Sequence, residues 1–290
     1  MSAVDATTAA PAASARPLRS VSSRFFRSEL GMVFGRRRNQ VALLVLGCVP
    51  ILIAIAVKLS TPKPGDGGPQ FIAQITQNGV FVAFSTLTVV IPIFLPLAVA
   101  VVSGDAVAGE AGSGTLRYLL VVPVSRARLL LVKYASTLVF ALAATLLVSG
   151  VGVLIGLILF PRGSATLLSG STVGMGEVLW RLLLCSLYVA AGMAALAAIG
   201  LFISTLVEAS VAAMATTAGI AIVLQVLDSV PQLHAIQPYL VNHWWLSFGD
   251  LLRSPMVTGD VVHGLLVSLA YVGIFGSLSW ARFGGKDVSS

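Results

Sequence analysis

The sequence predicts an all-α, polytopic membrane protein with six transmembrane helices, and three observations predict it. Charged residues make up 10% of the 290, where a soluble domain carries roughly 25%. Hydrophobic residues make up 57% and the mean hydropathy is +0.96, so the chain cannot clothe itself in polar groups and must use lipid as part of its solvent. Finally, apolar runs near the ~20 residues needed to cross ~30 Å of hydrocarbon recur six times. They fall at about 41–59, 80–103, 129–160, 180–205, 209–227 and 261–280, within a transmembrane domain of 41–281.

In chain order, residues 1–20 are rich in Ala, Ser, Thr and Pro without periodicity and read as a disordered tail. Residues 21–40 follow as an amphipathic segment. Phe26, Leu30, Val33 and Phe34 fall on one helical face, Arg24 and Arg27 lie off it, and Arg36, Arg37 and Arg38 close it. Such a helix lies in the membrane interface. Pro50 in the first span and Pro92 and Pro96 in the second predict bends, which membrane helices accept when neighbours satisfy the freed carbonyls. The third run, about 48 Å long at 1.5 Å per residue, must tilt or project. Ser204, Thr205, Glu208 and Ser210 mark a very short turn between the fourth and fifth runs. Residues 228–258 are too broken by proline and polar groups for a full span, and read as short outer helices dipping into the membrane before the last one. Trp180 opens the fourth run, Trp280 closes the sixth, and Trp244 and Trp245 lie in the loop before the sixth, as suits indoles that prefer the membrane–water interface. Gly152, Gly156 and the run from Ala190 to Gly200 supply small residues for close helix approach. Cys48 and Cys185 fall inside apolar runs and read as small buried hydrophobes.

The net charge of +7 sits beside apolar spans, so it speaks of anionic lipid and topology rather than nucleic acid. Placing both termini in the cytoplasm puts seven arginines of residues 16–38 inside. Arg117, Arg126, Arg128 and Lys133 join them, as do Arg282 and Lys286 of the tail 282–290. Lys58, Lys63, Arg162, Arg181 and Arg253 are left outside. Basic residues favour the cytoplasmic side, so the asymmetry supports this orientation.

Residues 103–133, SGDAVAGEAGSGTLRYLLVVPVSRARLLLVK, read as a cytoplasmic loop and carry the chemistry that is legible. Leu116, Leu119 and Leu120 share helical spacing and make an apolar ridge; Pro123 ends that helix and Ser125 is placed to N-cap the next span. A ridge without a core of its own calls for a protein partner, lipid, or the chain's own spans. Gly109 to Gly114 has GxxxxG spacing, but Thr115 stands where a phosphate-binding loop needs lysine. Asp105 and Glu110 read as ion-pairing or helix-terminus groups rather than an acid–base or metal pair. His234, His243 and His263 lack zinc-type spacing, and neither HExxH nor a paired-aspartate set is present. The spans hold almost no ionisable group away from their ends, whereas ion-coupled carriers keep a charged relay at mid-membrane. The energy for any transport must therefore enter from outside the spans.

The same loop resembles the signature region of the ABC-2 type transporter permease family. Its Gly104-Asp105, Gly109-Glu110, Gly114-Thr115-Leu116, Leu119-Leu120, Pro123, Ser125-Arg126 and Lys133 follow that family's pattern, over about thirty residues. The layout of interfacial helix, six spans and membrane-dipping outer segment matches along nearly the whole chain. The resemblance implies the permease subunit of an ATP-binding cassette exporter in a bacterial plasma membrane. It implies a coupling helix near 110–122 that docks in a separate cytoplasmic ATPase, with the 204–210 turn as a second contact. Asp105, Glu110, Gly114, Thr115, Leu116, Arg117, Leu119, Leu120, Arg126 and Glu208 would serve that contact. Two permease chains and two ATPase chains would assemble. ATP and magnesium would be held by the ATPase, leaving this chain with no cofactor and no catalytic site. The competing classes are a non-transport membrane enzyme or assembly factor, and an ion-coupled carrier.

Overall fold

The computed structural model describes residues 19–60, 75, 78–112, 114, 126–162, 165–167 and 169–285. Helix α1 (Arg19–Gly35) turns at Arg36 into α2 (Arg37–Ser60). The corner is built by its own sequence. Asn39 Nδ2 donates to the Val33 carbonyl (2.7 Å) and Gln40 Nε2 to that of Phe34 (2.9 Å), so the carbonyls that end α1 are satisfied. The predicted stripe of α1 is half-buried, with Val33 and Phe34 against the main core and the Phe34 ring 5.9 Å from Phe140.

The second predicted span, 80–103, is not one helix. Helix α3 (Phe81–Val90) stops at a turn, Ile91–Ile93, and α4 (Phe94–Gly112) follows. Pro92 is the expected breaker, having no N–H to give. Pro96 costs little because it lies in the first turn of α4, where donors are unsatisfied anyway. Ten residues rise only about 15 Å, so α3 cannot cross the membrane, and α4 runs well past the expected end at 103. Asp105 and Glu110, expected in a loop, therefore lie on a helix.

Helix α5 (Arg126–Leu159) is the long central helix, touching α1, α2, α3, α4 and α6. Its small residues admit α3: a Cβ on Gly152 would stand 2.7 Å from the Ala83 Cα, and Gly79 and Gly156 touch backbone to backbone. A short hairpin that the sequence did not announce pairs β1 (Ala165–Thr166) with β2 (Thr172–Val173). Helix α6 (Met175–Leu206) and α7 (Ser210–Ser229) are joined by the expected short turn. Three 3-10 turns, Pro231–Leu233, Gln237–Tyr239 and Trp245–Leu252, occupy the segment expected on the outer side, before α8 (Gly259–Gly284).

Among the described residues six helices are long and apolar enough to cross a membrane: α2, α4, α5, α6, α7 and α8. α3, α4, α5 and α6 form the buried centre, while α2, α7 and α8 present rows of exposed Leu, Val and Ile. Cys185 is buried as expected; Cys48 instead faces outward from α2. Arg181, counted above as a flank charge of the outer side, is buried on α6. Its guanidinium donates to the carbonyls of Leu251 (2.7 Å) and Arg253 (2.8 Å) and pairs with Glu177 (2.7 Å), clamping the outer segment to the bundle.

Candidate functional site

Asp105 and Glu110 are five residues apart on α4, which turns their side chains about 140° from one another at 100° per residue. They consequently serve two different groups of neighbours. Asp105 pairs with the guanidiniums of Arg36 and Arg38 at the head of α2 and accepts a hydrogen bond from the Ser210 hydroxyl at the head of α7. Glu110 meets Lys133 of α5, with Nζ 2.5 Å from Oε1, and the same ammonium lies 3.4 Å from Glu29 of α1. Lys133, Glu29, Glu110 and Asp105 are all buried. A polar cavity of about 20 Å³, bordered by Glu29, Arg36, Asp105, Glu110 and Lys133, lies between the two groups.

Three carboxylates thus meet three cations. Desolvated charges are tolerated in such a place only when paired, and the pairing ties α1, α2, α4, α5 and α7 at one end of the bundle. The residues between α4 and α5 emerge from that end.

The expected site residues are distributed as follows. Thr115, Leu116, Arg117, Leu119 and Leu120, with most of the expected coupling helix at 110–122, lie outside the described residues. Glu110 is on α4 and buried, which corrects its expected position on the water side of the spans. Gly114 is exposed, with φ +70° and its N–H 3.1 Å from the Ala111 carbonyl, a left-handed closure of α4 that suits glycine. Arg126 opens α5 and donates to the carbonyls of Phe283 (3.3 Å) and Gly284 (3.1 Å), satisfying the end of α8. Glu208 is exposed in the α6–α7 turn, and a Cβ on Gly112 would lie 3.1 Å from its carbonyl oxygen. The two expected contact regions are therefore neighbours at the same end.

Sequence reasoning missed Glu29, the pairing of Arg36 and Arg38, and Ser210. Glu29 had a signal: it is the single acid of α1 and falls three residues after Phe26, inside the apolar stripe. Small side chains complete the frame. Ser204 Oγ accepts from the backbone N–H groups of Val107 (2.9 Å) and Ala108 (2.8 Å), and a Cβ on Gly104 would stand 2.8 Å from Met214 Cα. These contacts hold α4 hard against α6 and α7 where it carries both carboxylates.

Among curated proteins none gives a significant match to the chain. A family model described as ABC-2 family transporter protein matches residues 31–240, from the last turn of α1 to just past the 3-10 turn Gln237–Tyr239, and the chain accordingly belongs to the ABC-2 family of transporter proteins.

Proposed function

We propose that the chain is the permease subunit of an ATP-driven exporter, coupled through residues 113–125 to a separate cytoplasmic ATPase that holds ATP and magnesium. Two permease chains would assemble with two ATPase chains in a bacterial plasma membrane, with both termini cytoplasmic. The aliphatic spans, whose charged residues lie toward the helix ends, suit a hydrophobic or amphipathic cargo such as a drug, lipid or peptide.

The observation that carries this reading is the position of the charge network. The segment 113–125 is bracketed by α4 and α5, and Glu110 and Lys133 join those two helices just inside the bracket. Movement of the segment by a partner would pull on both helices together. Glu29 extends the pull to α1, and Asp105 extends it to α2 and α7.

The test separates docking from transmission. Leu119→Asp places an unpaired carboxylate on the proposed docking ridge, a cost on the order of a few kcal/mol, and ATPase co-purification should weaken by over about tenfold. Replacing Lys133, Glu110 and Glu29 together by Met, Leu and Leu, which strands no buried charge, should leave co-purification intact and abolish cargo-stimulated ATP hydrolysis in proteoliposomes. If both variants assemble and turn over like the parent, coupling does not run through this region. Transport that continues without ATP and collapses with an uncoupler would instead establish an ion-coupled carrier.

A further inference from the structure

We propose that the cleft between α5, α6 and α8 binds one acyl chain of an anionic phospholipid, in the leaflet facing residue 285. This site is independent of the transport reading. The cleft has a volume of about 300 Å³ and is lined chiefly by Leu130, Leu131 and Tyr134 of α5, Leu201 of α6, and Val272 and Gly276 of α8. Its origin lies in uneven packing. At the opposite end of α8, Gly264 sits directly against Tyr188 and Trp244, so α8 is tight on α6 and the outer segment. Near its own end α8 is held to α5 by the Arg126 bonds to Phe283 and Gly284. Between these attachments Gly276 offers no side chain, and a Cβ there would meet nothing within 4 Å.

The occupant follows from depth, length and charge. The lining belongs to helices that cross the membrane, and the cleft opens sideways past Leu131 and Trp280, which are 67% and 61% exposed. Lipid tails are what this depth presents, and a bare crevice would forfeit dispersion contacts that a tail restores. From Ala127 to Tyr134 the cleft runs about 10 Å along α5, comparable with the ~15 Å of one leaflet's hydrocarbon. A second copy of the chain would need roughly 800 Å² per partner, more than a groove two turns long supplies. Basic residues flank this end in sequence: Arg126, already bonded to the end of α8, precedes Ala127 of the lining, Arg128 follows it, and the exposed Arg282 lies two residues beyond Trp280. Trp280 itself is an interfacial anchor at headgroup level.

The probe is phosphatidylglycerol carrying a diazirine in one acyl chain, at trace level in phosphatidylcholine proteoliposomes of the full chain. Adducts mapped by peptide mass spectrometry should concentrate on Leu131, Tyr134 and Val272 over Leu44 and Leu154, which are equally open to lipid on other faces (65% and 64% exposed). Gly276→Phe should lower the cleft adducts by about fivefold while leaving those at Leu44 unchanged. Gly273→Phe, also with free space around its Cβ but outside the lining, should leave the cleft adducts as they are. On the parent chain, unlabelled phosphatidylglycerol should compete about fivefold better than phosphatidylcholine, the preference expected from a basic residue at the surface. Adducts spread evenly over all exposed faces would overturn the proposal. So would equal competition by the two lipids, or chain-to-chain crosslinks at the cleft in place of lipid adducts.

Discussion

Lys133 holds two carboxylates from two other helices, Glu110 at 2.5 Å and Glu29 at 3.4 Å, in a place closed to solvent. Removing the ammonium strands both acids. Lys133→Ala should therefore cost about 3–5 kcal/mol, the usual loss when one partner of a buried ion pair is deleted, read as a lower thermal midpoint of the detergent-purified chain. Replacing Lys133, Glu110 and Glu29 together by Met, Leu and Leu should restore most of that stability, because apolar packing replaces buried charge at little loss. Asp105 presents a milder case. Its partners Arg36 and Arg38 remain 39% and 36% exposed, so solvent screens them. Asp105→Asn should cost only about 1 kcal/mol in the same assay.

At the scale of elements, α3 and α5 meet through glycine. Gly79 and Gly156 approach backbone to backbone, and no side chain can yield there. Gly156→Ala should push the start of α3 off α5 and cost about 1–3 kcal/mol, whereas Gly150→Ala, with open space around it, should be neutral or stabilising as glycine leaves a helix. Thermal unfolding of the two variants side by side checks this. The same contacts explain what could be read from the sequence. The apolar runs and the α6–α7 turn were legible, because each follows from local hydropathy or turn chemistry; at Pro92 a missing N–H announced a bend, and the structure has a full break there. The far half of α4 was not. SGDAVAGEAG looks like a loop by composition, since Gly and Ser are poor helix formers. Its small residues are there for packing, with Gly104 on Met214 and Ser103 on Gly200, and neither neighbour is visible from spacing. Likewise the partners of Glu29 and Arg181 lie 104 and 70 residues away respectively, beyond any periodicity.

For the whole molecule, the distribution of basic residues predicts that the ends of the chain and residues 113–125 share the cytoplasm, with the outer segment opposite. In a background lacking Cys48 and Cys185, a cysteine at Val257 should react with an impermeant maleimide added to intact cells. A cysteine at Ser113 should react only after the membrane is opened. Labelling of the Ser113 position in intact cells would invert the molecule. Val257 suits the purpose because it is exposed between the outer 3-10 turn and α8.

Eight of the ten residues of α3 are buried, although the helix belongs to a protein immersed in oil. That gives one chain two regimes of mutational constraint. On the outward rows of α2 and α8, Leu44, Leu52, Leu266 and Leu269 touch a fluid that accepts any apolar shape, so exchanges among Leu, Ile, Val and Phe should pass a growth selection almost freely. On α3 the neighbours are fixed side chains packed like a crystal, and Ala83 or Phe84 exchanged for an equally apolar residue of another volume should be rejected. A saturation scan scored by hydropathy alone would rank the two sets alike. Scored by volume it should split them, with α3 behaving as the core of a water-soluble domain lodged inside a membrane protein.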